Sequence, residues 1–317
     1  MRELPDPFAS LNPHQVARKA PMRSSMQASV KAIQARIAPL QQMLRARMAH
    51  LPLPRKHQQM QKQAQPRVDQ CIQTPVESAK ASPIQLSWAR HQDEVAEAQR
   101  LRYKVFAEEM GARLNTPVAG LDIDLYDLYC EHLLIRDSAT LEVIGTYRVL
   151  PPHKALEVGC LYSDSEFDLV RLRNLRHKMV EVGRSCVHAD YRSGGVIMAL
   201  WGGLGQYMQQ HGYEIMLGCA SVPMADGGHY AASLARILSS KHLTEAAYRV
   251  FPRLPLPIDA LNSSLEVEPP PLLKGYMRIG AKICGAPAWD PDFNTADFLT
   301  MLRLSDINPR YAKHFLG

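Results

Sequence analysis

The stretch EVGRSCVHADYRSGGVIMALWGG, residues Glu181–Gly203, joins a strand-like run to a helix-like run through a basic turn with two glycines. The first amide groups of a helix have no partner within the helix, and the helix dipole makes that end positive. Such an end binds phosphate, so we predict a phosphate-binding turn at Arg192, Ser193, Gly194 and Gly195. A structural turn without a ligand is the alternative.

Hydrophobic periodicity extends this strand-turn-helix unit in both directions along the chain. It predicts a mixed α/β domain whose central sheet is flanked by helices. The predicted strands are 83–90, 132–137, 142–152, 179–188 and 213–222, and the predicted helices are 93–111, 167–178, 195–212 and 227–241.

Charge divides the chain into two regions. The first 80 residues hold 13 Lys/Arg and 4 Asp/Glu, whereas the remainder holds 24 and 27. We therefore predict a basic N-terminal extension over residues 1–81 and one folded domain with a C-terminal extension over residues 82–317. The sequence contains no long apolar run and no signal-like N-terminus, so we expect a cytoplasmic protein. Its six cysteines lack metal-ligand spacing, so we expect neither disulfides nor a metal site.

The N-terminal extension contains an amphipathic pattern over residues 23–49. Apolar residues recur there at steps of three and four, and basic residues such as Lys31 and Arg45 fall mostly off that stripe. A helix of this kind suits an anionic bilayer surface, and we expect peripheral attachment to the cytoplasmic face of the inner membrane. A partly disordered tail is the alternative. We expect no nucleic-acid partner, because no aromatic residues interleave the basic ones.

The order of predicted elements is similar to that of the GNAT acyltransferase fold, and the basic glycine turn occupies the place of that family's donor-binding turn. Four spaced patterns also resemble acyl-homoserine lactone synthases, which are GNAT-fold enzymes that use acyl carrier protein. The patterns are Arg102-x-x-x-Phe106, Asp124-x-x-Asp127, Gly145-x-x-Arg148 and Glu181-x-x-Arg184.

A second resemblance covers about residues 85–317. EVGRSCVHADYRSG and the C-terminal segment PPLLKGYMRIGAKICGAPAWDPDFNTADFLTMLRL resemble the ornithine N-acyltransferase family. The resemblance implies transfer of a 3-hydroxyacyl group from acyl carrier protein to the α-amine of ornithine, giving a lyso-ornithine lipid. It implies acyl carrier protein and ornithine as partners, with acyl-coenzyme A a less favoured donor and no tightly bound cofactor. Alternatives are homoserine lactone synthesis, coenzyme A dependent acetylation and a non-enzymatic membrane-binding scaffold.

Glu181 and Arg184 are the candidate catalytic residues. Amide formation from a thioester needs a neutral amine, and an inward-facing Glu181 between Val180 and Val182 would have a raised pKa suited to a general base. The alternative is a solvent-facing or structurally paired carboxylate. A bulge near the end of this strand, at Gly183 or at 184–186, would present amide groups to the oxyanion.

The candidate substrate-binding residues alternate in sign and include the aromatic Phe106. Together with Arg184 they would form an ion network that orders a loop over the acceptor site, with one or more of the acids receiving the cationic groups of an amino acid and an arginine taking its carboxylate. A purely structural salt-bridge cluster is the alternative. The set is Arg102, Phe106, Asp124, Asp127 and Arg148.

Weaker candidates are also present. His132 and His188 are possible acid/base groups, Cys186 is a possible nucleophile, and Tyr191 and Tyr230 are possible proton donors to the leaving thiolate. Packing roles are the alternative for each of them. The basic residues of 171–178, together with Arg192, predict an approach for acidic acyl carrier protein beside the phosphate turn.

Overall fold

The computed structural model of the protein describes residues 84–315. The predicted extension 1–81 and its amphipathic segment 23–49 lie outside the described residues, so the boundary near residue 82 stays a prediction. Within the described range, every helix is too short or too polar to cross a bilayer.

A mixed β-sheet forms the centre of the domain, and the predicted strands are confirmed. The strands are β1 (Ile84–Trp88), β2 (Glu131–Asp137), β3 (Val143–Leu150), β4 (Phe167–Asp168), β5 (Met179–Val187), β6 (Ile215–Pro223), β7 (Phe251–Pro252), β8 (Lys282–Ile283), β9 (Ala288–Asp290) and β10 (Thr295–Arg303). The order in the main sheet is β1-β2-β3-β5-β6-β10-β8, with β9 also paired to β10, while β4 and β7 form a separate pair. Neighbours in the main sheet are antiparallel except β5 and β6, which are parallel.

The helices are α1 (Gln92–Tyr103), α2 (Pro152–Val158), α3 (Gly195–His211), α4 (His229–Lys241), α5 (Pro271–Ile279) and α6 (Pro309–Phe315). The predicted helix 93–111 is α1 followed by a π-helical turn, Lys104–Glu109. The chain leaves this turn through Gly111, whose φ of 75° is accessible to glycine at little cost.

The predicted helix 167–178 is wrong in type. The segment begins as the short strand β4 and continues as a 3₁₀ helix, Val170–Lys178. Leu169, Leu172 and Leu175 recur at steps of three, which matches the three residues per turn of a 3₁₀ helix. The first two of these leucines are fully buried, so this spacing places them on one packed face.

The two faces of β3 contact different kinds of residues. A Cβ atom on Gly145 would lie 2.4 Å from Val196 Cγ1, so this position faces α3 at close range. Arg148 lies three residues further along and therefore points to the opposite face, where it meets acidic side chains. The sheet thus separates an apolar face under α3 from a face that collects charged groups.

Candidate active site

A cavity of about 720 Å³ lies where β5 and β6 separate. The two parallel strands pair only over three residues each, from Met179 opposite Ile215 to Glu181 opposite Leu217. Beyond that point, residues 182–185 of β5 and 218–221 of β6 no longer pair with each other and line the cavity instead. An opening within the sheet lets a ligand reach both of its faces.

The polar part of the cavity lies on the sheet face opposite α3. Glu181 pairs with Leu217, so Cys219 and Ser221 share its face by strand alternation. Ser221 in turn pairs with Asp297 of β10, which adds a carboxylate to this face. The α3 side of the lining is largely apolar and includes Ile197, Trp201 and Leu204.

Strand β5 contains a β-bulge at the cavity. Between the pairs Thr146 with Cys186 and Arg148 with Gly183, β3 has one residue, whereas β5 has the two residues Arg184 and Ser185. In a regular strand Arg184 would point to the face opposite that of Gly183. The bulge and a φ of 51° bring it instead to the charged face, where its guanidinium lies 3.2 Å from Asp122.

Three arginines and three aspartates form a buried ion cluster below this bulge. Arg102 bonds Asp122 and Asp127, Arg148 bonds Asp124 and Asp127, and Arg184 lies within 3.3 Å of Asp122 and Asp124. Burial alone would raise the pKa of Asp127, but the charges of Arg102 and Arg148 outweigh it and hold the pKa well below its usual value. The formal charges of the six residues cancel, so the cluster is electrically neutral, but Arg184 Nε is buried and makes no hydrogen bond within the described residues.

The predicted substrate-binding residues divide into two groups. Phe106 and Arg148 line the cavity, as does the catalytic candidate Arg184. Arg102, Asp124 and Asp127 belong to the ion cluster but lie outside the cavity lining. Their geometry fits a positioning role, because they hold Arg148 and Arg184 at the cavity wall.

Two aromatic rings enclose the guanidinium of Arg184. Its Cζ atom lies 5.2 Å from the ring centroid of Tyr162 and 4.9 Å from that of Phe293. Cation–π contacts of this kind fix the plane of a guanidinium while leaving its edge available for hydrogen bonds. The site therefore presents one oriented cation to the cavity.

Glu181 is 6% exposed and lies at the point where β5 and β6 separate. Its Oε2 accepts a hydrogen bond from the Tyr162 amide at 2.6 Å, and its Oε1 accepts bonds from the Ser163 amide at 2.8 Å and hydroxyl at 2.5 Å. Burial raises the pKa of Glu181, although the bonds from Ser163 and Tyr162 partly oppose this. Both Glu181 and the fully buried Ser163 line the cavity.

The predicted phosphate turn leads directly into α3. Gly194 precedes the helix with a φ of 103°, and no side chain caps the first turn. Arg192 is partly exposed; its Nε donates to the Val187 carbonyl and its Nη2 donates to Glu109. The turn therefore offers backbone amides and one cation that already has an acidic partner.

Several weaker candidates have packing or structural partners. Burial lowers the pKa of His132 to about 4, and its Nε2 lies 3.3 Å from the Asp127 carbonyl oxygen. Burial raises the pKa of Cys186 to about 12, which keeps the thiol protonated. Tyr191 lines the cavity and donates to Asp137, whereas Tyr230 donates to the Glu268 carbonyl and lies outside the lining. His188 lies 2.7 Å from the Lys104 ammonium.

The predicted basic approach beside the phosphate turn is wrong for residues 171–178. That segment ends immediately before β5, and Arg192 follows the other end of the same strand. Nine strand residues span about 30 Å, so the two groups lie far apart. Arg176 instead pairs with Asp164, and Lys178 pairs with Glu214.

Sequence reasoning missed the acidic group formed by Glu166, Cys219 and Asp297. Potential ligand atoms of these residues lie within 4.8 Å of one another. Burial raises the pKa of the Cys219 thiol well above its usual value, so it remains protonated in this setting. The sequence could have indicated Asp297, because it is an acid within the apolar run TADFLTML, just as Glu181 is an acid between Val180 and Val182.

Comparisons with known proteins agree with this architecture. The family model described as "Acetyltransferase (GNAT) domain" matches residues 101–202, and the predicted GNAT fold is confirmed. The chain is 36% identical over 246 residues to L-ornithine N(alpha)-acyltransferase of Agrobacterium fabrum, covering 72% of this chain and 84% of that protein. It is 33% identical over 250 residues to the protein of the same name from Brucella abortus, covering 73% and 88%. The solved AHL synthase LasI matches with a TM-score of 0.44 at 14% identity, covering 75% of this chain and 96% of that one.

Proposed function

The chain belongs to the L-ornithine N(alpha)-acyltransferase family of GNAT acyltransferases, and on that premise we propose that it transfers a fatty acyl group from a thioester to the α-amine of ornithine. The observation that carries this proposal is the cavity between β5 and β6, which has a charged end on one sheet face and an apolar end under α3. An amino acid suits the charged end and an acyl chain suits the apolar end. The product is an N-acyl amino acid of the lyso-ornithine lipid type.

The donor binds with its phosphate at the turn Arg192–Gly195 and its thioester at the bulge of β5. Uncapped amides at the start of α3 and the positive helix end favour the phosphate. Acyl carrier protein and coenzyme A both carry pantetheine phosphate. We propose the carrier protein as the donor, because Lys104 and Arg192 place two cations near this turn for an acidic partner, although Glu109 and Asp190 lie beside them.

The acceptor binds on the charged face, with its carboxylate on Arg184. The oriented guanidinium between Tyr162 and Phe293 supports this assignment. The amine then attacks the thioester carbonyl, a C–N bond forms, and the C–S bond breaks to release the thiol. Backbone amides at the bulge, residues 183–186, stabilise the oxyanion.

Glu181 is the general base, and Ser163 relays the proton. Ser163 Oγ donates to Glu181 Oε1 at 2.5 Å and lines the cavity beside it, so a proton from the amine can reach the carboxylate through this hydroxyl. As the C–N bond forms, the amine gives a proton to Ser163 Oγ, and Ser163 passes its own proton to Glu181 Oε1. Protonated Glu181 then returns this proton through Ser163 to the thiolate leaving group, which leaves as a thiol and restores the carboxylate.

The phosphate site predicts the behaviour of Gly195→Asp. A Cβ at Gly195 meets no atom within 4 Å, and a carboxylate in the first turn of a helix is favourable, so the fold should be unaffected. The new negative charge should repel the donor phosphate and raise the KM for the acyl donor at least about tenfold, which corresponds to about 1.4 kcal/mol. Steady-state kinetics with each substrate varied would check this. The KM for ornithine should not change, and Gly195→Ala is the size control; an unchanged donor KM in Gly195→Asp would place the phosphate elsewhere.

We propose that residues 23–49 hold the enzyme on an anionic membrane surface, where its amphiphilic product is needed. These residues lie outside the described range, so the support is the sequence pattern alone. Replacing four basic residues by glutamine in the full chain should weaken binding to anionic vesicles about 1,000-fold, at about 1 kcal/mol per charge. The four residues are Lys31, Arg36, Arg45 and Arg47.

Vesicle sedimentation would check this proposal, with vesicles of phosphatidylcholine containing or lacking phosphatidylglycerol. The control variant replaces four exposed basic residues of the folded domain and has the same net charge. They are Arg173, Lys241, Arg278 and Arg310. Equal loss of binding in the two variants would mean that total charge, not the extension, governs attachment.

Mass spectrometry of products tests the proposed reaction. Purified protein would be incubated with 3-hydroxyacyl carrier protein and a mixture of free amino acids, and in parallel with acyl-coenzyme A. We expect N-acyl ornithine from the carrier protein reaction. A lactone formed with S-adenosylmethionine, or an acetylated amine formed with acetyl-coenzyme A, would contradict the proposal; loaded donor that yields no acylated amine would contradict the enzymatic role itself.

A further inference from the structure

We propose that Asp297 and Glu166, with Asp290 beside them, form the receptor for the side-chain ammonium of the acceptor amino acid and so select ornithine over uncharged amino acids. This inference rests on the proposed function. The proposed reaction consumes only the α-amine, so the second ammonium of ornithine needs a site of its own.

Asp297 places a carboxylate in the charged end of the cavity. It pairs in register with Ser221 on the face that also carries Glu181, and it is only 3% exposed. Its Oδ1 accepts a hydrogen bond from Thr295 Oγ1 at 2.8 Å. Asp290, at the end of β9, pairs in register with Thr295 and also lines the cavity. Two strands therefore bring these two acids to one end of the cavity.

Glu166 adds an oxygen that has no partner. Its Oε2 accepts a hydrogen bond from the Cys219 thiol at 3.4 Å, but its Oε1 is fully buried and makes no hydrogen bond within the described part of the chain. Cys219, which donates to Glu166, lines the cavity, whereas Glu166 itself lies outside the lining. Two buried acids this close together are costly to ionise at the same time, which points to a cationic group supplied by a ligand.

The acidic group also lacks a cation. Across residues 84–312, no lysine, arginine or histidine lies within 4.0 Å of the carboxylates of Glu166, Asp290 or Asp297. In contrast, Asp122, Asp124 and Asp127 of the ion cluster are each paired with arginines. Burial, with the neighbouring charge of Asp297, raises the pKa of Glu166 to about 9, so Glu166 retains a proton at neutral pH. An ammonium would supply the missing charge and allow the acids to ionise.

The acids Asp290 and Asp297 line the same cavity as Arg184, and Phe293 links the two groups: its ring centroid lies 4.9 Å from Arg184 Cζ and its amide donates to Asp290 Oδ1 at 3.1 Å. Tyr162 stacks against the Arg184 guanidinium, with 5.2 Å between Cζ and the ring centroid. Burial raises the pKa of the Tyr162 hydroxyl well above its usual value; the charge of Arg184 opposes this, and the charges of Glu166, Asp290 and Asp297 add to it. A short diamino acid can therefore place its carboxylate on Arg184 and its side-chain ammonium on the acids while its α-amine lies between them.

The test compares ornithine with norvaline, which has the same carbon chain without the terminal amine. For the full-length wild-type enzyme we expect kcat/KM to be at least about 100-fold higher with ornithine. In Asp297→Asn this preference should collapse, because kcat/KM for ornithine falls about 100-fold while that for norvaline stays within about threefold. Glu166→Gln should act in the same direction. Asp292→Asn, an exposed neighbour outside the cavity lining, should leave the preference unchanged.

Several outcomes would overturn this inference. Equal use of the two acceptors by the wild-type enzyme would show that no ammonium receptor exists, and an equal fall for both acceptors in Asp297→Asn would show a structural role. Calorimetric titration of the enzyme with each amino acid gives a readout without turnover. Ornithine binding that is lost in Asp297→Asn would support the receptor even if the proposed acyl transfer were wrong. A stoichiometric divalent metal whose removal by a chelator abolishes the preference would make the cluster a metal site instead.

Discussion

Replacing Arg102 by methionine is expected to lower the free energy of unfolding by about 3–5 kcal/mol, the range found when one partner of a buried ion pair is removed. Arg102 is fully buried and donates four hydrogen bonds to Asp122 and Asp127. Methionine fills much of the volume but leaves two buried carboxylates with fewer donors and less positive charge. For a domain of this size the melting temperature should fall by about 10 °C.

Chemical denaturation and thermal melting would measure this effect. Lys178→Met is the matched control, because it removes the partner of Glu214 at a site where both side chains are largely exposed. Exposed pairs contribute about 0–1 kcal/mol, so the control should melt close to the wild type. Arg102→Lys should recover only part of the loss, since an ammonium cannot reproduce the planar fork that bonds two carboxylates. A wild-type melting temperature in Arg102→Met would show that the cluster adds nothing to stability.

The ion cluster also predicts a pH dependence. Arginine charges hold the pKa of Asp127 below its unfolded value of 3.8, so its contribution to stability is present above that pH and is lost as the pH falls further. The difference in unfolding free energy between wild type and Arg102→Met should therefore shrink in acid, because protonated aspartates no longer need the guanidinium.

The ion cluster is the part of the site that the sequence predicted most completely. Its members alternate in sign along the chain, and opposite charges on buried elements must be paired. The spacing could not show that Arg102 and Asp127 would be satisfied within the protein and lie behind the cavity wall. Asp122 was missed, because it stands among several acids of one loop and only the fold selects which of them face the arginines.

The bulge of β5 illustrates the limit of strand periodicity. Gly183 marked the position as irregular, but the number of residues opposite Tyr147 depends on register with β3, which a single strand does not encode. The hydrogen bonds from Tyr162 and Ser163 to Glu181 also could not be predicted, because they join residues that are distant in sequence. Those residues lie 18 and 19 positions away, in a loop whose path is set by packing.

Glu181→Gln is the substitution expected to have the largest effect on activity. A general base typically contributes about 100-fold to 10,000-fold to the rate, and kcat should fall by an amount in that range. The amide cannot take up a proton from Ser163, and its NH₂ group faces a backbone N–H that previously donated to a carboxylate oxygen. The loss of that bond should also cost about 1–3 kcal/mol of stability, so the protein should remain folded at 25 °C.

The pH profile separates a catalytic role of Glu181 from a structural one. Burial raises the pKa of Glu181 above its usual 4.5, and the base must be ionised, so wild-type kcat should fall as the pH drops through this raised value. Glu181→Gln has no such group, and its residual kcat should lack this acid limb. Ser163→Ala removes the relay but keeps the carboxylate, so it should be similarly slow, whereas Glu142→Gln, exposed on the surface, should match the wild type. A Glu181→Gln enzyme that is slower but keeps the acid limb would show that the carboxylate only positions the 162–163 turn; an enzyme of full activity would exclude Glu181 as the base.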